Sequence, residues 1–351
     1  MIYIHVPFCH RKCTYCAFYS VRSEELSAEP TAHQGVRSYI DSLMEEMERR
    51  KEEQAHPIKT VYFGGGTPSI LPIEQLGRIV DGLHRCFDLS EVEEMTIEAN
   101  PEDLSPDYLA ALVQLGFNRI SIGVQSLDDK VLKMLNRRHT AQQAIEAVEN
   151  AHKAGFSNIS VDFIYGLPID YQLSTINYQL ITHISAYALT VEPGTALAVQ
   201  VEQGRVVLPS DDEVVRQYHE LHALFEAEGL RQYEVSNYAR PGFESKHNSR
   251  YWNRTPYLGL GPGAHSFDGV HRKWNNPDGT VGEETLTASD AYNEMLMTAL
   301  RTTEGLPVGS IIMEKMQCYI DCGWIVVADG RYRPTTEGLL HADGMAAELF
   351  V

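Results

Sequence analysis

The sequence is short of positive charge. Lys and Arg number 29 against 48 Asp and Glu over 351 residues, a formal net charge of −19. That balance argues against a nucleic-acid partner, because phosphate contacts need clustered cations and this field would oppose them. Long apolar runs are missing as well. None reaches the ~20 residues of a membrane-spanning helix, and the opening MIYIHVPFCH has neither the basic start nor the cleavage site of a signal peptide, so an unexported, cytoplasmic protein is expected. A disulfide framework is absent too: three of only six cysteines crowd between Cys9 and Cys16 instead of pairing across a small secreted domain. Nor is there a phosphate loop, since the run Gly64-Gly65-Gly66 leads into Thr67-Pro68-Ser69 and not into Lys-Ser/Thr.

What is present is an α/β alternation on a 43% hydrophobic chain. β-branched and aromatic runs at Ile2–Val6, Lys59–Phe63, Glu94–Ala99, Arg119–Val124, Asn158–Tyr165 and Ile184–Val191 read as strands. Helical patterns fall between them, at Val36–Gln54, Ile73–Phe87, Asp107–Leu115, Ala141–Ala154 and Asp211–Gly229, with Gly116, Gly155 and Gly229 as stops. Six strands with helical crossovers and no hairpin signal predict a parallel sheet, here a partial (β/α)6 TIM-like barrel. Beyond Gly263 the order changes: helices at Ala288–Arg301 and Val308–Cys322, a hairpin at Trp324–Arg333 turning on Asp329-Gly330, and a helix at Thr336–Leu349. That order predicts a small α+β winged-helix-like unit acting as a lid or packing domain. The expected division is 1–230 for the barrel, 231–284 for a capping connection and 285–351 for the last unit.

Cys9-x3-Cys13-x2-Cys16 places three thiols on one short loop after the first strand. Structural zinc generally wants four ligands, whereas thiolates are the usual ligands of an iron–sulfur cube. Cys86, Cys318 and Cys322 lie elsewhere and complete no zinc site. Cys318 and Cys322, one helical turn apart, are read as ordinary core residues of a helix. A cube held by three cysteines leaves one iron open to a small chelating ligand, such as an amino acid's amine and carboxylate.

In such a barrel, ligands bind at the C-terminal ends of the strands. The glycine run ends strand two, Glu98-Ala-Asn100-Pro101 ends strand three, and Gly123-Val-Gln125-Ser126 ends strand four. Asp162 interrupts the apolar run Val161–Ile164 of strand five. A carboxylate inside a strand is costly unless paired or bound. Glu98 suits the hydroxyls of a ribose, Gln125 and Asp162 other polar parts of a nucleoside, and Arg137 a carboxylate. Mutual pairing among these groups is the competing explanation.

These residues carry a resemblance. Pro7-Phe8-Cys9-x3-Cys13-x-Tyr15-Cys16, Gly64-Gly-Gly-Thr-Pro-Ser69, Glu98-Ala-Asn-Pro101, Gly123-Val-Gln-Ser126 with Leu135-Asn-Arg137, and Asp162-x2-Tyr165-Gly-Leu-Pro168 resemble radical S-adenosylmethionine (SAM) proteins related to oxygen-independent coproporphyrinogen III oxidase. The resemblance implies a radical SAM barrel and a [4Fe–4S] cluster on Cys9, Cys13 and Cys16. It further implies S-adenosylmethionine on Tyr3, Gly65, Glu98 and Thr190. Tyr15, Gly66, Thr67, Gln125, Arg137 and Asp162 would then surround a second cofactor or the substrate.

Two features divide the branches. The oxidases carry a fourth cysteine where this sequence has Phe18, and a longer segment before the cluster. Here His247-Asn248-x2-Tyr251-Trp252, followed by Gly261-Pro-Gly-Ala-His-Ser266, is similar to the signature of HemW-type haem chaperones. That likeness implies haem held by His247, Asn248, Tyr251 and Trp252, with the imidazole on iron and the aromatic faces against the porphyrin, and transfer to an acceptor protein facing the acidic surface. A loop over the barrel mouth is expected for it, although the same aromatics also suit a seal for the barrel. The alternatives are oxidative decarboxylation of coproporphyrinogen III, or radical modification of another small molecule or of an RNA, the RNA version being disfavoured by the charge. Compared with the family, Ile169–Thr182 and Asn275–Thr285 are short, and breaks in the chain are expected near Ile169–Ser174 and Asn276–Val281.

Overall fold

The computed structural model describes residues 1–22, 32–54, 56–168, 176–311 and 313–351, with 32–34 as backbone alone. Six parallel strands form its centre: β1 (Ile2–Val6), β2 (Thr60–Gly65), β3 (Glu94–Ala99), β4 (Arg119–Gln125), β5 (Asn158–Tyr165) and β6 (His183–Ala188). They pair in chain order, each with the next. Between them run α1 (Ala32–Arg50), α2 (Ile73–Cys86), α3 (Pro106–Gln114), α4 (Asp129–Met134) and α5 (Ala141–Ala154), followed after β6 by α6 (Ala196–Glu202) and α7 (Asp211–Ala227). Local chemistry sets several boundaries. Thr140 and Gln143 form a capping box at the start of α5, and Gly155, at φ 108°, ends it.

Strand alternation explains the barrel's two faces. Val61 and Phe63, Met95 and Ile97, Ile120 and Ile122, and Ile159 and Val161 are buried in one apolar core. The intervening positions are Tyr62, Thr96 and Glu98, Ser121, and Ser160 and Asp162. A parallel sheet covered by apolar groups on both faces reads as an unbroken hydrophobic run. This one alternates, which gives it a polar interior.

The connection after α7 extends the sheet at both edges. β7 (Arg231–Gln232) and β8 (Asn237–Ala239) run antiparallel beyond β6. Past α8 (Lys246–Trp252), β9 (Leu258–Leu260) joins β1 in parallel, so seven strands run parallel where six were expected. A separate antiparallel sheet follows, of β10 (His265–Phe267), β11 (His271–Asn275) and β12 (Val281–Thr285).

The expected break at 276–281 is corrected by this sheet. Asn276 N–H donates to the Thr280 carbonyl at 2.8 Å and Gly279 N–H to that of Asn276 at 3.0 Å, closing a tight turn between β11 and β12. The break expected near Ile169–Ser174 lies outside the described residues.

The last unit comprises α9 (Ala288–Leu300), β13 (Leu306–Pro307), α10 (Met313–Asp321), β14 (Ile325–Ala328), β15 (Arg331–Pro334), α11 (Thr336–Leu340) and α12 (Ala342–Leu349). It has its own core, in which Leu296, Leu300, Met316, Ile325, Tyr332 and Leu349 meet. Asp329 and Gly330 both take positive φ, 48° and 70°, as the predicted hairpin turn requires. Two helices are shorter than expected. Val308 pairs with Gly330 and Gly309 is left-handed, which delays α10, and the final helix is broken at His341, whose ring stacks on Trp324 at 3.8 Å.

Candidate functional site

The loop after β1 carries the three cysteines, and it is held from outside the barrel. Thr14 N–H and Oγ1 donate to the carbonyls of Leu135 and Met134, each at 3.1 Å, and Asn136 Nδ2 donates to Lys12 O at 2.9 Å. Ala196–Glu202 adds a bond from Leu197 N–H to Thr14 O. Two glycines let β2 approach from the other side. A Cβ on Gly66 would lie 2.5 Å from Phe8 O, and one on Gly65, at φ 114°, would lie 2.8 Å from the His5 ring.

Cys9, Cys13 and Cys16 all line one cavity of about 650 Å³ at the C-terminal end of the strands. Among the described residues, no three His, Cys, Asp or Glu side chains converge as they would on a single metal ion. Three thiols on one loop around one cavity are the donor set of a thiolate-bound iron–sulfur cluster. Two of the sulfurs accept hydrogen bonds, Cys9 from Thr67 Oγ1 at 3.5 Å and Cys13 from Arg137 Nη1 at 3.4 Å. Asn100 joins the donors: its Nδ2 bonds Thr67 Oγ1 at 3.2 Å and its Oδ1 accepts from Arg137 Nη2 at 2.6 Å. Burial raises the Cys16 thiol, opposed by the backbone N–H of Phe18.

The same cavity gathers Tyr15, Gly65, Gly66, Thr67, Glu98, Gln125, Arg137, Asp162 and Thr190. Gln125 sits at a bulge in β4 with φ 66°, a conformation rare outside glycine. Thr190 was expected inside a strand; β6 ends at Ala188, so it stands on the exposed segment beyond. Glu98 accepts from Tyr62 OH at 2.8 Å and from Gly65 N–H at 3.2 Å. Enclosure in the barrel pushes its carboxyl up to about 7; the Asp162 charge adds to this, and the Tyr62 and Gly65 bonds oppose it. Asp162 is likewise raised by burial, against bonds from Ser185 and Ser121, the latter at 3.1 Å. Arg137 also donates to Gly123 O, yet its buried Nε has no partner among the described residues, leaving one donor for a carboxylate.

Tyr3 does not reach the cavity wall. Its hydroxyl meets His5 Nδ1 at 3.2 Å and its ring stacks with Tyr62. Asn100 and Ser121 line the cavity and Tyr62 bonds to Glu98 behind it, and sequence reasoning left all three without a role. The i, i+2 recurrence of polar groups along the strands is the signal that marks Tyr62 and Ser121.

The expected position of His247, Asn248, Tyr251 and Trp252 over the mouth is corrected. They form α8, which closes the opposite end of the barrel. His247 Nδ1 pairs with Oγ1 of Thr60, the first residue of β2, at 2.9 Å, and Nε2 pairs with Tyr251 OH at 3.1 Å. Glu94, the first residue of β3, accepts from Lys246 and His247 N–H at 3.0 and 2.9 Å. The imidazole is fully buried, and burial with nearby positive charge pushes it down to about 3. Neither ring nitrogen is available to a haem iron in this arrangement. Trp252 faces the last unit, beneath the Arg301 guanidinium at 5.5 Å, and Asn248 N–H is taken by the cap Ser245.

Known proteins share this frame. The sequence profile of the Radical SAM superfamily matches residues 3–172. The haem chaperone HemW of Mycobacterium tuberculosis H37Rv is 34% identical, with 99% of this chain and 94% of that protein covered. HemW of Bacillus subtilis is 37% identical over 78% of this chain and 72% of its own length. Among solved structures, the coproporphyrinogen III oxidase HemN of Escherichia coli, a radical SAM enzyme, superposes with a TM-score of 0.83 over 100% of this chain and 89% of that one, at 21% identity, a likeness of fold.

Proposed function

Because the chain belongs to the HemW haem-chaperone family within the radical SAM superfamily, we propose that it binds a [4Fe–4S] cluster, S-adenosylmethionine and haem, and hands the haem to an acceptor protein. The observation that carries this reading is three cysteine thiols on one loop around a cavity whose other walls present Glu98, Asp162 and Arg137. Cys9, Cys13 and Cys16 would hold the cluster. Held there, the cluster would supply the electron for reductive chemistry on S-adenosylmethionine.

The chain's own residues do the positioning. Gly65 and Gly66 keep backbone close to the cofactor without a side chain between, Glu98 receives ribose hydroxyls, and Arg137 Nε meets a carboxylate. Tyr15, packed by Val131, Leu135 and Ile164, closes the floor beside the cysteines and limits water. Among the described residues no helix is long and apolar enough to cross a membrane, and we place the protein in the cytoplasm.

The fold it shares with the oxidase keeps coproporphyrinogen decarboxylation as a second reading. Phe18, where the oxidases carry a further cysteine, argues against it. Anaerobic reconstitution followed by titration with haem and with S-adenosylmethionine tests the first reading: both are expected to bind. Conversion of coproporphyrinogen III to protoporphyrinogen IX by the same preparation would favour the second.

A further inference from the structure

Two positions beyond Arg137 stands His139, its side chain fully buried and both ring nitrogens facing oxygen. Nε2 lies 3.0 Å from Val124 O, and Nδ1 lies 3.3 Å from Oε2 of Glu102, on the turn Pro101–Asp103 that follows β3. Neither Nδ1 nor that carboxylate oxygen has another hydrogen-bond partner among the described residues. A carbonyl only accepts, so Nε2 carries a proton toward Val124. A carboxylate oxygen also only accepts, so a second proton has to lie between Nδ1 and Glu102. Burial would raise the Glu102 carboxyl, but the His139 contact, its own backbone N–H and the Arg137 charge outweigh burial and hold it below the usual carboxylate range. The ring is thus braced on one side by a carboxylate and grips a strand carbonyl with the other.

That carbonyl matters because of the residue after it. Gln125 lines the cavity at φ 66°, and Ser126 N–H returns to the same Val124 O at 2.8 Å. Gln125 is therefore the centre of a tight i to i+2 turn at positive φ, a rare and strained arrangement that persists only where its surroundings over-determine it. Its side chain lies close along the strand: a Cβ on Gly123 would stand 3.0 Å from Gln125 Nε2. The segment 137–139 supplies the restraint. Arg137 Nη2 donates to Gly123 O at 2.6 Å and His139 Nε2 to Val124 O, so two consecutive carbonyls of β4 are gripped just ahead of the turn.

We infer that His139 is a positioning residue for the cavity: braced by Glu102, it holds the Val124 carbonyl and so fixes Gln125 where it meets the nucleoside of S-adenosylmethionine. The inference rests on the reading of the cavity as an S-adenosylmethionine site, and it adds a residue that acts on the ligand only through Gln125.

The test is calorimetric titration of the full chain, reconstituted anaerobically, with S-adenosylmethionine, with iron content and Tm measured on each sample. A Gln side chain places its amide nitrogen near the position of Nε2 and an Asn side chain near that of Nδ1, so the two substitutions separate the grip on Val124 from the contact with Glu102. His139→Gln is expected to bind within about twofold of wild type and His139→Asn about tenfold more weakly at equal iron content, the scale of one good hydrogen bond. Gln125→Ala should lose a similar factor. The double variant His139→Asn, Gln125→Ala should lose no more than either single change, because both remove the same contact. A residue serving stability alone would lower Tm and leave the two effects to multiply. Equal affinity in the Gln and Asn variants would overturn the proposal, as would effects that multiply or a Gln125→Ala chain that binds as wild type does. Should His139→Asn lose iron, Glu102→Gln takes its place: it is expected to bind about threefold or more weakly with iron unchanged, and wild-type affinity there would overturn the proposal equally. A wild type that takes up the cluster but binds no S-adenosylmethionine would instead remove the reading of the cavity beneath it.

Discussion

Burial moves Glu98 and His247 in opposite senses, and their contributions to stability against pH have opposite signs. His247 falls from its ordinary 6.5 to about 3 in the folded protein. Below 6.5 the unfolded chain takes a proton that the native imidazole refuses, so stability drains as pH falls from 6.5 toward 3, at about 1.4 kcal/mol per unit at most. Glu98 rises from 4.5 to about 7, so the native carboxyl keeps a proton that the unfolded one releases. Its contribution declines as pH rises from 4.5 to 7. Urea unfolding across pH 4.5–8 should show His247→Gln with a flatter acid limb than wild type, whereas cofactor-free Glu98→Gln should gain on the order of 1–3 kcal/mol relative to wild type above pH 7. A parallel acid limb for His247→Gln would contradict its enclosure. Arg137 offers a second test at this scale. Removing its bond to Cys13 and its charge, as in Arg137→Leu, should move the cluster's midpoint potential to more negative values, read by EPR-monitored redox titration, with Arg137→Lys recovering part of the shift. An unchanged potential in Arg137→Leu would show that the contact does not reach the cluster.

At the scale of elements, the backbone of the first turn of α8 is anchored to the barrel by the Glu94 carboxylate. Glu94→Ala strips the acceptor from two N–H groups in the first turn of that helix and should cost about 2 kcal/mol or more, visible as a lower Tm with the iron content unchanged. Gly66→Ala should do the reverse. It pushes a methyl group into the Phe8 carbonyl on the cysteine loop and is expected to lower iron content far more than Tm. What the sequence made legible follows from short-range physics. Each central strand alternates, Gly155 stops its helix in the left-handed region, and the cysteine spacing already confines three thiols to one loop. The illegible parts are tertiary. Leu258–Leu260 is three residues long and becomes a parallel strand only because β1 has an unpaired edge. The direction of α8 depends on Glu94 and Thr60, more than 150 positions earlier, and nothing in the spacing of His247, Tyr251 and Trp252 says which end of a barrel they close.

Across the whole molecule, the two ends of the barrel divide the labour. The closed end is packed with buried, internally satisfied imidazole and phenol groups around His247, and the open end keeps thiols, carboxylates and, without a partner among the described residues, Arg137 Nε around a cavity. The chain that carries both ends has a net charge of −19. The account depends most on what the three thiols hold. EPR of the reduced, anaerobically reconstituted chain, with and without S-adenosylmethionine, addresses that directly. The account predicts a [4Fe–4S] signal that S-adenosylmethionine alters and that is lost when Cys9, Cys13 and Cys16 are replaced by Ala. A chain that takes up zinc instead, or a cluster signal indifferent to S-adenosylmethionine because a fourth protein ligand fills the site, would contradict it.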